Sequence, residues 1–443
     1  MNELDLPTLD RDLARAARAE RAFWRALRAD ASRAADEAWY EPVRHVTTRA
    51  IFQEVASLPA ADPLRDALLA WIYRLAVARI ARGPIIALAK ARQDATVHLE
   101  VPETGSYSVG EVVRRVLAEP EPERGKARAW LEGLGASSSP VLAHEKRLRE
   151  AVQEITARLG ADPAGFAPFD RGLVVQEAEQ LLRRTDDLAT SLFARSEDLA
   201  GLAAQLVARD VPGVWPTKPD ARWLYDQFQG LPLLQGLSVD LGPTPAPLGA
   251  ASFARALARL GAAYARAAVL GGAPFALSSD PSEVHPFRRG ALFASLAADA
   301  VFLRKHLGLS RDAAATASRA LAVTFLAAVR LAAVGTTIDV TVASPSAIAE
   351  AVEHALKVPV LPELSGIFPR FAPRAAERLA AALLAHADLG ELRSGFDDDW
   401  FRNPRGLLRL RELDAAPRAG KVPSASLHGS AEALARALET MAG

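Results

Sequence analysis

The chain has 443 residues, half of them hydrophobic, with 53 Lys+Arg against 53 Asp+Glu and no cysteine. The balanced charge argues against a nucleic-acid binder, which needs a basic face to meet phosphates, and the missing cysteine excludes disulfides, thiol nucleophiles, iron–sulfur clusters and cysteine-ligated zinc. The length suits two to three domains or one large helical unit with a sizeable core.

Alanine, leucine and arginine dominate over β-branched and aromatic residues, a mixture that favours helix. Over residues 9–37, Ala16, Ala19, Phe23 and Leu27 recur on one helical face. Asp62 and Pro63 open a second helix, the aspartate as cap and the proline at the first helical position. ATVHLEV (95–101), followed by PETGSYS, alternates like a strand and predicts a small hairpin. A helix is expected at 108–119, then long amphipathic helices at 140–159 and 172–206, the latter with a stripe of Val174, Ala178, Leu181, Leu188 and Leu192.

Prolines then cluster at 211–220 and 231–250, which cannot be continuous helix and read as a connection between lobes and a surface loop. Helices are expected at 251–270, 287–307 and 310–334, the last capped by Ser310 and stopped by Gly335, with a loop at 271–286. TTIDVTV (336–342) reads as a strand or an extended link. Further helices are expected at 346–357, 373–388, 404–412 and 430–441, and no fixed-period repeat is present. This gives an all-α fold with at most one β-hairpin, divided into an N-terminal lobe at 1–210, a connection at 211–250 and a C-terminal lobe at 251–443.

The N-terminus, MNELDLPTLDRDL, lacks the apolar stretch of a signal peptide. The most apolar run, LAVTFLAAVRLAAV (321–334), is interrupted by Arg330 and is too short to span a bilayer. It reads as a core helix, and the protein is expected to be cytoplasmic with no membrane insertion.

None of the eight histidines lies four residues from another, so no helix presents the two imidazoles of a zincin motif. His144-Glu145 begins like one, but Leu148 stands where the second histidine belongs, leaving a solvated helix face. No GxSxG elbow, phosphate-binding GxxxxGK[ST] loop or GxGxxG fingerprint occurs. Asp397, Asp398 and Asp399 read as a helix N-terminus, where carboxylates meet free N–H groups, rather than as a metal or general-base site. No cofactor or metal is expected.

Three segments of the second half resemble the helical gluzincin peptidases, the group of thimet oligopeptidase, oligoendopeptidase F and angiotensin-converting enzyme. FARALARLGAAYARA (253–267) is similar to the helix that in active members reads roughly LLHELGHALH. RRGALFASLAADAVFLRKHLGLS (288–310) is similar to the downstream helix that supplies the third zinc ligand, and FDDDWFRNPRGLLRLREL (396–413) resembles a FGxDWWRNPxAG segment near the family's C-terminus. In this register the family's two zinc-binding histidines fall on Ala258 and Ala262, its catalytic glutamate on Arg259 and its glutamate ligand on Arg289. Alanine has no lone pair to give, and arginine is a permanent cation that repels a divalent metal.

The resemblance implies two helical lobes around a cleft, without zinc catalysis, and hence a peptide- or protein-binding module with a protein or peptide partner. Arg259 and Arg289 would either receive an anion or pair with local acids, and His285 and Trp400 are further candidates near the cleft. Two other classes stay open: an assembly subunit with no cleft, which would show an apolar patch at Trp215, Trp223 and Trp400, and a metal-independent enzyme using acid–base residues in the cleft.

Overall fold

A computed structural model describes residues 5–34, 39–94, 96–99, 105–108, 124–136, 138–193, 196–207, 214–216, 219–220, 222–224, 226, 248–267, 273–339, 341–370, 374–415 and 422–443. These residues form helices and one hairpin. The hairpin joins β1 (Thr96–Leu99) to β2 (Gly105–Ser108), antiparallel with Thr96 opposite Ser108, as the alternation predicts. The helix expected at 108–119 lies outside the described residues except for Ser108, which ends β2, as do half of the proline cluster at 211–220 and most of that at 231–250.

The first half opens with α1 (Leu6–Ala29), α2 (Ala31–Ala34), α3 (Arg49–Ala56), α4 (Pro63–Ile80) and α5 (Arg82–Gln93). The Asp62 carboxylate accepts from Leu64 N at 2.8 Å and so caps α4. After the hairpin come α6 (Arg124–Ala136) and α7 (Ser138–Leu159). The expected helix at 172–206 is three: α8 (Arg171–Arg184), α9 (Asp186–Phe193) and α10 (Leu199–Val207). The first break has a tertiary cause. The buried Arg330 guanidinium, from a helix far along the chain, donates to Leu182 O and Thr185 Oγ1, taking acceptors that a continuous helix would orient differently.

The second half holds α11 (Ala250–Ala267), α12 (Phe275–Ser278), α13 (Val284–Ser295), α14 (Ala300–Leu307), α15 (Arg311–Thr337), α16 (Pro345–Leu356), α17 (Ala375–Phe396), α18 (Pro404–Ala415), α19 (Ser424–Leu427) and α20 (Ser430–Ala442). The loop expected at 271–286 thus contains α12 and the start of α13. The helix expected at 287–307 is broken at Asp299, which caps α14 through Phe302 N at 2.8 Å and accepts from Arg393 at 2.6 Å. Ser310 caps α15 as expected. Gly335 does not stop that helix, which continues to Thr337, because a glycine with ordinary helical geometry only weakens a helix. Thr336 and Thr337 end α15 and residues 341–342 form a turn, so neither a strand nor an extended link is seen at these positions. Asp397–Asp399 do not open a helix; they close α17, with Asp397 at φ 66°, and Asp399 pairs with Lys305. The chain turns there to send Trp400 into the core, and α18 starts at Pro404.

Three apolar groups make the core, and they do not follow chain order. One joins α1, α3, α4 and α5 to the C-terminal end of α7. A second joins α11, α13, α14 and the first half of α15 to Trp400, Phe401 and Leu410. The third sets α8, α9 and α10 against the rest of α15, α16, α17 and α20. Each fully buried Leu or Phe contributes about 1.5–3 kcal/mol through lost contact with water. Among the described residues α15 is the one helix long and apolar enough to cross a membrane by composition. It runs through two of the three core groups, burying Ala314, Leu321, Leu326 and Ala333 against other helices.

Candidate functional site

The helix α11 is buried over most of its circumference, from Ala250 to Ala265, and packs closely against α13. Two glycines make this possible. A Cβ on Gly261 would lie 2.3 Å from Arg289 O, and one on Gly290 would lie 2.9 Å from Ala258 O and 3.7 Å from Ala262 Cβ. Ala258, Ala262 and Arg289, separated by up to 31 positions in the sequence, therefore meet at one crossing. Arg259 lies on the exposed side of α11 and is not part of it.

Arg289 is 1% exposed and is held by two carboxylates. Its Nε donates to Asp414 Oδ1 at 2.7 Å and its Nη1 to Asp388 Oδ2 at 2.6 Å. Asp388, on α17, also accepts from Arg288 Nε at 2.7 Å, and Asp414, on α18, lies 3.1 Å from His285 Nε2. Burial works against the Arg289 cation, but the charges of Asp414 and Asp388 outweigh it and hold its pKa above the ordinary value. Burial likewise opposes the charge on Asp414, and the adjacent His285 ring and the cation of Arg289 still draw its pKa down. Burial, then the Asp414 charge, push the Tyr264 phenol up. These shifts favour the ionised form of Asp414 and the neutral form of Tyr264.

Of the two open readings of Arg289, the internal pair is the one realised. Its fork is filled by Asp388 and Asp414, so it is not a free anion receptor. His285 sits at the start of α13 against Asp414. Trp400 is 1% exposed and packs against Phe401, so it lies in the core and not at a cleft. Trp215 is also buried, its Nε1–H donating to Leu248 O at 2.9 Å, so the three tryptophans do not form a surface patch. Asp388 and Asp414 went unnoticed in the sequence. The available signal was a charge on an apolar helical stripe: Asp388 follows Leu384 and precedes Leu392 at four-residue spacing, and Asp414 follows Leu410. Among the described residues no group of three or more His, Asp or Glu is arranged to hold a metal ion.

A cavity of about 350 Å³ lies where α1 and α4 of the first half face residues 276–282 and the start of α17. Trp24, Tyr73, Val77 and Phe166 give it apolar walls, and Glu20, Arg74, Arg171, Arg374 and Glu377 line it with charge. Arg74 joins the two sides, bonding Glu20 at 3.0 Å and Pro281 O at 2.8 Å. Glu283, the N-cap of α13, adopts a left-handed φ of 65° and pairs with Arg266 at 2.6 Å and Arg74 at 3.5 Å. The first two turns of α13 thus run from near the edge of this cavity to the Arg289 crossing.

No protein-family model matches the sequence, and no curated protein matches it. By fold, the chain is similar to a crystal structure assigned as an oligoendopeptidase F from Bacillus anthracis str. Ames, with a TM-score of 0.56 and 10% sequence identity. The match covers 90% of this chain and 83% of that one. The likeness is one of fold: a largely helical chain with the architecture of that structure.

Proposed function

We propose that the chain is a pseudopeptidase: a peptidase-shaped protein that holds a peptide or protein segment in its cavity and does not hydrolyse it by zinc chemistry. The observation that carries this reading is the α11–α13 crossing. The positions expected to bear two imidazoles and a carboxylate bear two methyl groups and a guanidinium. A zinc site needs three such donors and an open position for water. Arg289, fixed by Asp388 and Asp414, instead keeps a permanent positive charge at the crossing. In this reading the cavity between the two halves supplies the binding surface, and the protein works in the cytoplasm.

The test is elemental analysis of the purified chain before and after incubation with zinc, alongside hydrolysis of a mixed peptide library. Less than a tenth of an equivalent of zinc and no cleavage are expected. One zinc per chain that survives mutation of the surface histidines, with cleavage, overturns the reading.

A second reading, a metal-independent acid–base enzyme, has one observation in its favour. The His285 side chain is 14% exposed and its Nε2 lies 3.1 Å from the buried Asp414 Oδ1. Turnover of ester and amide probes that is lost in His285→Ala would support it.

A further inference from the structure

The charged groups lining the cavity are unequally engaged. Glu20 accepts from Arg74 and from Trp24 Nε1 at 2.9 Å. Glu377 pairs with Arg171 at 3.2 Å, and Asp66 with Arg65 at 3.0 Å. Asp280 is taken up by the backbone N–H groups of Ser282 and His285, at 2.8 and 2.7 Å. Every lining carboxylate is therefore occupied. Arg74 and Arg171 are occupied by the same pairs. Arg374 is different: among the described residues its guanidinium makes no hydrogen bond and no ion pair, although it is only partly exposed and borders the cavity. Arg378, one turn further along α17, stacks over Phe287 at 5.4 Å.

We propose that the cavity is a site for a carboxylate carried on an apolar or aromatic body, with Arg374 receiving the carboxylate and Trp24, Tyr73, Val77 and Phe166 enclosing the body. The inference rests on the binding-module reading and names its ligand chemistry. A guanidinium fork matches a carboxylate with two parallel charge-assisted hydrogen bonds. A volume of about 350 Å³ is at the small end of ligand pockets, room for one aromatic side chain and its acid group. The surroundings of Arg374 agree with an anion-binding role. Burial and the neighbouring Arg74 charge pull its pKa down, against the weaker opposing pull of Glu283, Glu20 and Glu377. An arriving carboxylate would offset that strain. The same chemistry comes from two sources, a free aryl carboxylic acid or the C-terminus of a peptide ending in an aromatic residue.

Calorimetric titration of the full chain separates them. The probes are 3-phenylpropionate, its amide, a hexapeptide ending in phenylalanine and the C-terminal amide of that hexapeptide. The free acids are expected to bind at least about tenfold more tightly than the amides, the scale of a hydrogen bond to a charged group. Arg374→Gln is expected to erase that preference. Ala167→Trp, which fills the cavity from its loop wall, is expected to abolish binding of all four probes while the protein melts as wild type. Binding of 3-phenylpropionate alone upholds the carboxylate site and overturns the peptide reading. Equal binding of hexapeptide acid and amide, unchanged in Arg374→Gln, upholds the peptide reading and overturns the carboxylate site. No binding by any probe overturns the inference.

Discussion

Arg289 Nε lies 2.7 Å from Asp414 Oδ1, with both side chains 1% exposed and 125 positions between them in the sequence. With Asp388 on the other side, the guanidinium fastens α13 to both α17 and α18. The three helices meet around one buried cation, so that cation is part of the fold's architecture and is not available to a ligand.

Removing the cation should therefore be costly. Arg289→Met leaves Asp388 and Asp414 buried beside less compensating charge, and a loss of about 3–5 kcal/mol in unfolding free energy is expected. Arg289→Met combined with Asp388→Asn and Asp414→Asn should recover a good part of it, since the stranded charges go as well. Urea denaturation of the single and triple variants decides: a triple variant weaker than the single one would show that the pair's charge is not the source of the cost.

The close crossing makes an opposite prediction for two glycines. Gly261→Ala drives a methyl into the Arg289 carbonyl, a backbone atom that cannot swing aside, and should cost about 1–3 kcal/mol or more. Gly83, near the start of α5, has nothing within 4 Å of the same added atom. Gly83→Ala should stabilise by about 0.4–1 kcal/mol by restricting the unfolded chain. Denaturation midpoints that move in the same direction for both would refute the crossing geometry.

Arg330 offers a third test. Its guanidinium donates to Ala355 O, Leu182 O, Thr185 Oγ1, His354 O and Asp186 Oδ1, between 2.6 and 3.0 Å. Arg330→Met keeps most of the volume but strands buried acceptors, at about 1–3 kcal/mol for each that water cannot reach. Thermal melting should show a drop larger than that for Arg319→Met on the exposed side of the same helix, and equal shifts would count against the network.

Stability should fall in acid partly through Glu283. Burial raises its pKa, but Arg266, Arg74 and Arg374 draw it down to about 2. A carboxylate whose folded pKa is depressed contributes stability that is complete above its unfolded value of about 4.3. That contribution is lost as pH falls from there towards about 2. Glu283→Gln removes the titration, so its urea midpoint should decline less steeply than wild type between pH 5 and pH 3. Parallel declines would assign the acid sensitivity elsewhere.

Local signals in the chain determined most of the helices, the hairpin and the caps at Asp62 and Ser310. Each of these depends on residues within a few positions of one another: apolar spacing, an alternating run, a side-chain oxygen beside free N–H groups. The spacing of the histidines also settled, without any fold, that no helix carries a zincin pair. The helix break at Asp299 joins a local cap on Phe302 N to the distant Arg393, and the break at Thr185 was decided elsewhere, by Arg330 reaching in from a distant helix. The same is true of the fate of Arg289. A lone arginine on a helix reads equally as an anion receptor or as half of an ion pair. Only the packing of α13 against α17 and α18, which brings Asp388 and Asp414 within 3 Å, distinguishes the two, because a charge taken out of water must find its partner in space and not in sequence.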